Sequence, residues 1–243
     1  MTRPHILFPR RLICLLLALA LSSSCLAGFP MPAIAAGLVR LSDLSQGSVV
    51  KFGPSEWTWI LLDPSAGYLI KQDAYGDARP FDSSGSPWFS SASSTNVGYY
   101  LNNTFLGELS AAEQAMVQNH AWGIGFKDAE SATTANCKVA LISFSEYAAY
   151  TQDGTDYGVL PQLAASWLTR TIYYEDYGVT WYVHDGGSIS GMDGALASES
   201  HAVRPAIYLD PNTLVNTDDG NRVMVGAAPA ISTVTLDRVS HPV

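Results

Sequence analysis

Short runs of alternating apolar and polar residues, broken by glycine, proline and serine, fill most of the chain and predict strands rather than long helices. Val49-Val50-Lys51-Phe52 is the first clear run, and Gly53-Pro54 ends it. Trp57-Thr58-Trp59-Ile60-Leu61-Leu62-Asp63 and Tyr68-Leu69-Ile70-Lys71 flank Pro64-Ser65-Ala66-Gly67, which predicts an antiparallel hairpin. Strand periodicity puts Trp57 and Trp59 on one face, toward the core. Residues 72–96 hold no period and predict a long ordered loop, with Phe81, Trp88 and Phe89 as its apolar anchors. Helical spacing returns at Tyr99, Tyr100, Leu101, Phe105 and Leu106, with Asn96 placed as the cap. Ser110-Ala111-Ala112-Glu113 is a capping box that opens a second helix. Lys138-Val139-Ala140-Leu141-Ile142 reads as a buried strand, and Ser143-Phe144-Ser145-Glu146 repeats the capping box before a short helix through Tyr150.

The last third returns to strand and loop. Residues 166–171 and 179–184 read as strands on either side of an aromatic and acidic loop, Tyr173-Tyr174-Glu175-Asp176-Tyr177-Gly178. Asp185-Gly186 predicts a hairpin turn, residues 187–190 its return arm, and Gly191-Met192-Asp193-Gly194 another turn. A final strand covers 202–209, and Pro205, which cannot donate to a ladder, puts that strand at an edge or starts its pairing there. Beyond Asp210 the sequence predicts no long element, only a turn at Asn216-Thr217-Asp218-Asp219-Gly220 before Val223-Met224-Val225. The sum is an α+β domain: a mixed, mainly antiparallel sheet with two or three short helices and long loops on one side.

Two arginines interrupt this apolar pattern. Arg170 follows Trp167 in one strand and Arg204 sits in another, and a guanidinium in such a place must find carbonyls or a carboxylate. Both are therefore expected to be buried structural pins.

Compartment and charge narrow the field. Arg3, Arg10 and Arg11 precede the apolar run 12–21, and Ala33-Ile34-Ala35-Ala36 has the small-residue pattern of a signal-peptidase site. Residues 1–36 are thus expected to be a secretory signal cleaved near Ala35 or Ala36, leaving 37–243 as one extracellular domain. Lipidation at Cys25 is the alternative, disfavoured because Ser22 stands where a Leu-like residue is usual. The apolar run falls short of the ~20 residues a membrane span needs. Without its signal the chain carries 10 Lys and Arg against 22 Asp and Glu, a net −12, which repels phosphate backbones and anionic lipid alike. Cys137 would be the lone remaining cysteine, so neither an internal disulfide nor a Cys-based zinc site is expected.

The ordered motifs resemble one bacterial family, the domain of unknown function (DUF) 6273 family. They are Val50-Lys51-Phe52-Gly53 with Trp57 to Asp63; Tyr100-Leu101-Asn102 with Phe105-Leu106; the strand before Ser143 followed by Glu146; Trp167 with Arg170; Asp185-Gly186; and Val203-Arg204-Pro205-Ala206. The resemblance is strongest over residues 47–210. It implies the C-type-lectin-like fold shared with sulfatase-modifying, formylglycine-generating proteins, a location outside the cell, and structural roles for Trp167, Arg170, Asp185, Gly186 and Arg204. The chain departs from the family at Thr169, where an apolar residue is usual, and lacks the Glu-Pro-Asn and Gln-Pro-Asp triplets of calcium-dependent lectins.

Catalytic signatures are sparse. There is no Gly-x-Ser-x-Gly elbow, and one cysteine cannot supply the pair that formylglycine chemistry uses. Gln152-Asp153-Gly154-Thr155-Asp156 lacks the terminal Glu of a helix-loop-helix calcium loop, the histidines are scattered, and no metal or cofactor is expected. The strongest binding candidates are Trp88, Tyr173, Tyr174, Glu175, Asp176, Tyr177 and Asp193, because sugars stack on aromatic faces while their hydroxyls bond to acids. If the loops 83–97, 173–177 and 186–200 come together, they are expected to form a shallow groove with aromatic walls and an acidic floor. The expected function is a non-catalytic recognition or display domain for a saccharide, peptide or surface protein. A structural component of a surface assembly and a carboxylate-based extracellular hydrolase are the alternatives.

Overall fold

The computed structural model describes residues 37–54, 57–150 and 160–226, the side chains of residues 190–193 excepted. The expected signal segment with Cys25, and the turn 152–156, lie outside the described residues. The chain is a mixed α+β fold whose strands pair mostly antiparallel.

The principal sheet is built from β1 (Leu38–Arg40), β2 (Val49–Lys51), β3 (Thr58–Asp63), β4 (Tyr68–Lys71), β8 (Val139–Leu141), β13 (Pro205–Tyr208), β14 (Leu214–Asn216) and β15 (Arg222–Val223), in the order β1-β14-β15-β2-β3-β4-β13-β8. Among its described strand pairs, β15 with β2 is parallel and the others are antiparallel. The β3–β4 pair is the hairpin expected from its Pro/Gly turn, and Gly67 (φ +67°) supplies the left-handed residue. One row of pairing residues, Ile60, Ile70, Ala206 and Ala140, covers one face of the sheet. Trp59 and the ring of Trp57 meet Phe105 on the other, with centroids 6.1 and 4.8 Å from it. Trp59 is fully buried and Trp57 half-buried, so the shared face is right but only one of the two tryptophans belongs to the interior.

Helix α1 starts at Val97–Tyr100, widens through a π turn at Leu101–Phe105 and ends at Leu106–Glu108. Within the wide turn, Asn102 and Asn103 donate their side-chain amides to the carbonyls of Gly98 and Tyr99, four residues back. Asn102 also donates to Val139 O and accepts from the N–H groups of Lys138 and Val139, tying the helix to β8. Helix α2 (Ala111–Met116) has the expected capping box between Ser110 and Glu113. Helix α3 (Phe144–Tyr150) follows β8, and its box is present as Ser143 N–H to Glu146 Oε2 (2.9 Å) and Glu146 N–H to Ser143 Oγ (3.1 Å).

A second sheet, ordered β11-β10-β9, holds β9 (Trp167–Tyr174), β10 (Val179–Val183) and β11 (Ile189–Leu196). Its free edge along β9 is spent on the rest of the fold: Leu168, Arg170 and Ile172 donate main-chain N–H groups to Ala202 O, Ile142 O and Gly125 O. Strand β6 (His120–Gly123) with β7 (Thr134–Cys137), and β5 (Arg79–Pro80) with β12 (Ser200–His201), form two small ribbons.

Several expectations need correction. Tyr173 and Tyr174 belong to β9, so the aromatic loop is the shorter turn 175–178. The stretch Gly191-Met192-Asp193-Gly194 lies within β11, where the register runs from Ser190 to Ala195 opposite only Tyr182 to Thr180. That bulge absorbs the glycines that read as a turn. At the β10–β11 hairpin His184 N–H bonds to Ser188 O and the left-handed residue is Gly187 (φ +76°), so the loop holds three residues instead of the Asp185-Gly186 pair. Pro205 starts the pairing of β13, which lies between β4 and β8, an interior strand. β14 and β15 are too short to leave a periodic signal, yet they complete the principal sheet.

Arg204 is fully buried. It donates to Lys71 O (2.7 Å), Gln72 O (2.9 Å) and Pro161 O (3.2 Å), and its guanidinium lies 5.1 Å from the ring centroid of buried Trp167. Burial lowers its pKa to about 10, against the fields of Tyr147 and Asp73, so it stays charged at neutral pH. Replacing Arg204 with Ala leaves those three carbonyls without their donor and opens a hole beside Trp167. The expected loss is about 3 kcal/mol or more, read as a drop in the midpoint of denaturant unfolding; an unchanged midpoint would contradict the pin.

Candidate functional site

Asn96 ties together the later part of the long loop 72–96. Its Oδ1 accepts from Ser90 N–H (3.0 Å) and Gly98 N–H (2.9 Å), while Nδ2 donates to Asp82 Oδ2 (3.0 Å) and Trp88 O (2.9 Å). Both lone pairs of the amide oxygen and both amide protons are used, and the residue is buried. Burial opposes the charge on Asp82, but the bonds from Ser84 and Asn96 hold its carboxyl below the usual range. The helix cap read from the sequence thus also fastens the main chain of Trp88.

The Trp88 indole donates through Nε1 to Glu175 Oε1 (3.1 Å) and meets Phe126 edge-on at 6.2 Å. Glu175 lies on the turn between β9 and β10, closed by Gly178 N–H to Glu175 O (2.9 Å). Gly178 sits at φ +62°, and a Cβ there would collide with the main-chain oxygen of Gly85. Its own carbonyl accepts from Ala197 N–H (2.7 Å), and Ala197 O accepts from Asp82 N–H (2.8 Å). Parts of all three candidate loops are therefore stitched together at Asp82, Gly178 and Ala197.

Tyr174 and Tyr177 stand well out of the surface, 52% and 75% exposed, with Glu175 and Asp176 exposed between them. An aromatic chain continues from them: Tyr177 to Tyr174 at 6.2 Å, Tyr174 to Tyr173 at 4.2 Å, Tyr173 to Trp181 at 4.8 Å and Trp181 to Phe144 at 4.5 Å. The Lys127 ammonium lies 4.4 Å from the Phe144 centroid and ends the strip. The result is a projecting aromatic strip with acids on its outer end, in place of the expected walled groove. Asp193 has its main chain in β11, and its side chain lies outside the described residues. Asp185 and Gly186 are exposed on the hairpin, where Asp185 O accepts from the Gln162 amide.

Sequence reasoning missed Phe126, Lys127, Phe144 and Trp181. Trp181 had a usable signal, since it alternates with Thr180 and Tyr182 across β10. Phe126 and Lys127 arrive through long-range packing alone.

Arg170, Glu146 and Glu130 are committed to structure. Arg170, 3% exposed, holds Glu146 through two nitrogens, donates to Gly123 O (2.7 Å) and Leu141 O, and lies over Trp122. Tyr68 donates to the same Glu146 carboxylate at 2.8 Å. Burial would raise the Glu146 pKa, but Arg170, with the donors Ser143 N–H and Tyr68 O–H, holds it below the usual range. Glu130, close by, accepts from Ser143 Oγ (2.8 Å), Thr171 Oγ1 (2.6 Å) and Ser145 N–H (3.2 Å). This pair of carboxylates is occupied by protein donors and serves the fold. Thr169 buries its hydroxyl by donating to Trp181 O (2.7 Å). Burial raises the Cys137 thiol to about 11, leaving it protonated at neutral pH. Among the described residues, no three His, Cys, Asp or Glu side chains gather as a metal would require, and no helix is long and apolar enough to cross a membrane.

No protein-family model, curated protein or solved structure matches the chain.

Replacing Asn96 with Ala removes four hydrogen bonds made by a buried side chain. Expected are a loss of about 2 kcal/mol or more in stability and faster amide exchange at Ser90 and Gly98. Tryptophan fluorescence should also change as Trp88 loosens; protection equal to that of the unaltered chain would contradict the role given to Asn96.

Proposed function

We propose that this chain is an exported, non-catalytic recognition domain of the C-type-lectin-like kind, akin to the DUF6273 family, and that it binds a saccharide on the strip around Tyr174 and Tyr177. The observation that carries the reading is the pair of projecting tyrosines with Glu175 and Asp176 between them, on a turn held by Trp88. Exposed tyrosines lose apolar contact with water when a sugar ring covers them, and the neighbouring carboxylates accept its hydroxyl protons. A turn fastened at Gly178, Ala197 and Asp82 presents these groups with little ordering left to do on binding. The secretory pattern at residues 1–36 and the chain's negative charge support a ligand outside the cell that is not a polyphosphate.

Calorimetric titration of the domain with a panel of neutral oligosaccharides tests the reading. Binding is expected, with at least a tenfold loss of affinity in the Tyr174→Ala/Tyr177→Ala double variant. That variant should keep its melting midpoint, since exposed side chains contribute under about 0.5 kcal/mol each. Equal affinity of both proteins, or unfolding of the variant, would overturn the assignment.

A further inference from the structure

A cleft of about 220 Å³ is lined among others by Arg79, Ser83, Ser94, Thr95 and Tyr100. It is smaller than the ~300–1,000 Å³ of a site that encloses a whole ligand, so it suits one end or one branch of a larger molecule. Its cation is placed with care. Arg79 is held in β5 by pairing with His201 of β12, and its guanidinium carbon lies 3.1 Å from the ring centroid of Tyr100.

Stacking fixes the plane of the guanidinium and leaves its in-plane N–H groups for a partner. Among the described residues none is supplied to Nε, which is buried without a hydrogen-bond acceptor. Ion pairs among the described residues join Lys51 and Arg222 to Asp219 and Arg170 to Glu146, and none involves Arg79. The contrast with Arg170 and Arg204, whose donors end on protein oxygens, is direct. A buried charged donor left unmatched costs stability unless a ligand completes it.

We infer that the Arg79 cleft is a subsite for the carboxylate of an acidic sugar residue in the saccharide proposed above. The inference rests on that reading for the nature of the ligand. A planar carboxylate meets the guanidinium fork with two parallel hydrogen bonds. The Ser83 and Ser94 hydroxyls around the cleft match sugar hydroxyls, which a bare anion would not use. A single cation in a chain of net charge −9 suits one monoanionic group and disfavours a polyanion. Gly178 packs on Gly85, which brings the turn that carries Tyr177 against the turn whose Ser83 lines the cleft.

The test compares a tetrasaccharide of alternating glucuronate and N-acetylglucosamine with the same compound reduced at its carboxyl groups, and adds free glucuronate followed by NMR. The unaltered protein should bind the acidic tetrasaccharide at least tenfold more tightly than the reduced one. Arg79→Gln should bring that ratio to about one, and Arg79→Lys, which keeps charge without the fork, should restore only part of it. Glucuronate should shift the amide resonances of Arg79, Ser83 and Thr95. Equal binding of the two tetrasaccharides, no binding of the acidic one, or a ratio unmoved in a folded Arg79→Gln protein would overturn the subsite. Failure of the tyrosine strip looks different: the reduced tetrasaccharide and the neutral panel fail to bind, while glucuronate still shifts the Arg79 cleft.

Discussion

The buried ion pair between Arg170 and Glu146 is the constraint on which most of the architecture depends. Arg170 projects from the centre of β9, and its nitrogens end on Gly123 of β6, Leu141 of β8 and Glu146 of α3. One guanidinium therefore joins the second sheet, the principal sheet, a ribbon and a helix. Glu146 is equally shared, since its carboxylate also closes the N-terminal cap of α3 and takes the Tyr68 hydroxyl from β4. Such a pair gains little over a well-packed apolar substitute in energy alone, because desolvating two charges consumes most of their attraction. What it does impose is position, since the two ions are satisfied by groups drawn from all of these elements at once.

The aromatic strip inherits that position. β9 carries Arg170 in its middle and Tyr173 and Tyr174 at its end, so fixing the arginine fixes where the tyrosines emerge. α3 begins beside Glu146 and contributes Phe144 to the same strip, and Thr171 of β9 bonds both Glu130 and the main chain of Phe144. The loop that bears Trp88 is fixed independently, through Asn96 and Asp82, and the two systems meet at the hydrogen bond between Trp88 and Glu175. Scaffold and recognition surface thus share residues, while the exposed tyrosines themselves remain free of structural duty.

Much of this was legible in the sequence where the signal is local. The Pro/Gly turn of the first hairpin, both capping boxes, the Asn96 cap and the apolar strands at β8 and β13 all rest on neighbours within a few residues, and all are present. The two arginines were legible because a charge in an apolar run has few places to go. What escaped was non-local or compensated. The bulge in β11 hides its glycines inside a strand, and β14 and β15 are two or three residues long and are recruited by pairing alone. In the π turn of α1, Asn102 bonds across to Val139 of β8, a contact that no local pattern announces. At the site, Tyr174, Glu175 and Tyr177 could be named in advance, whereas Phe126, Lys127 and the Arg79 cleft exist only because distant segments pack together.

A double-mutant cycle on Arg170→Met and Glu146→Gln, read by denaturant unfolding, tests the central claim most directly. Each single change should cost about 3–5 kcal/mol, since it leaves the other ion buried and unmatched. The double variant should cost less than the sum by about 2 kcal/mol or more. Additivity within about 0.5 kcal/mol would mean that the two side chains act separately, and that the meeting of β6, β8, β9 and α3 is held by something other than their pairing.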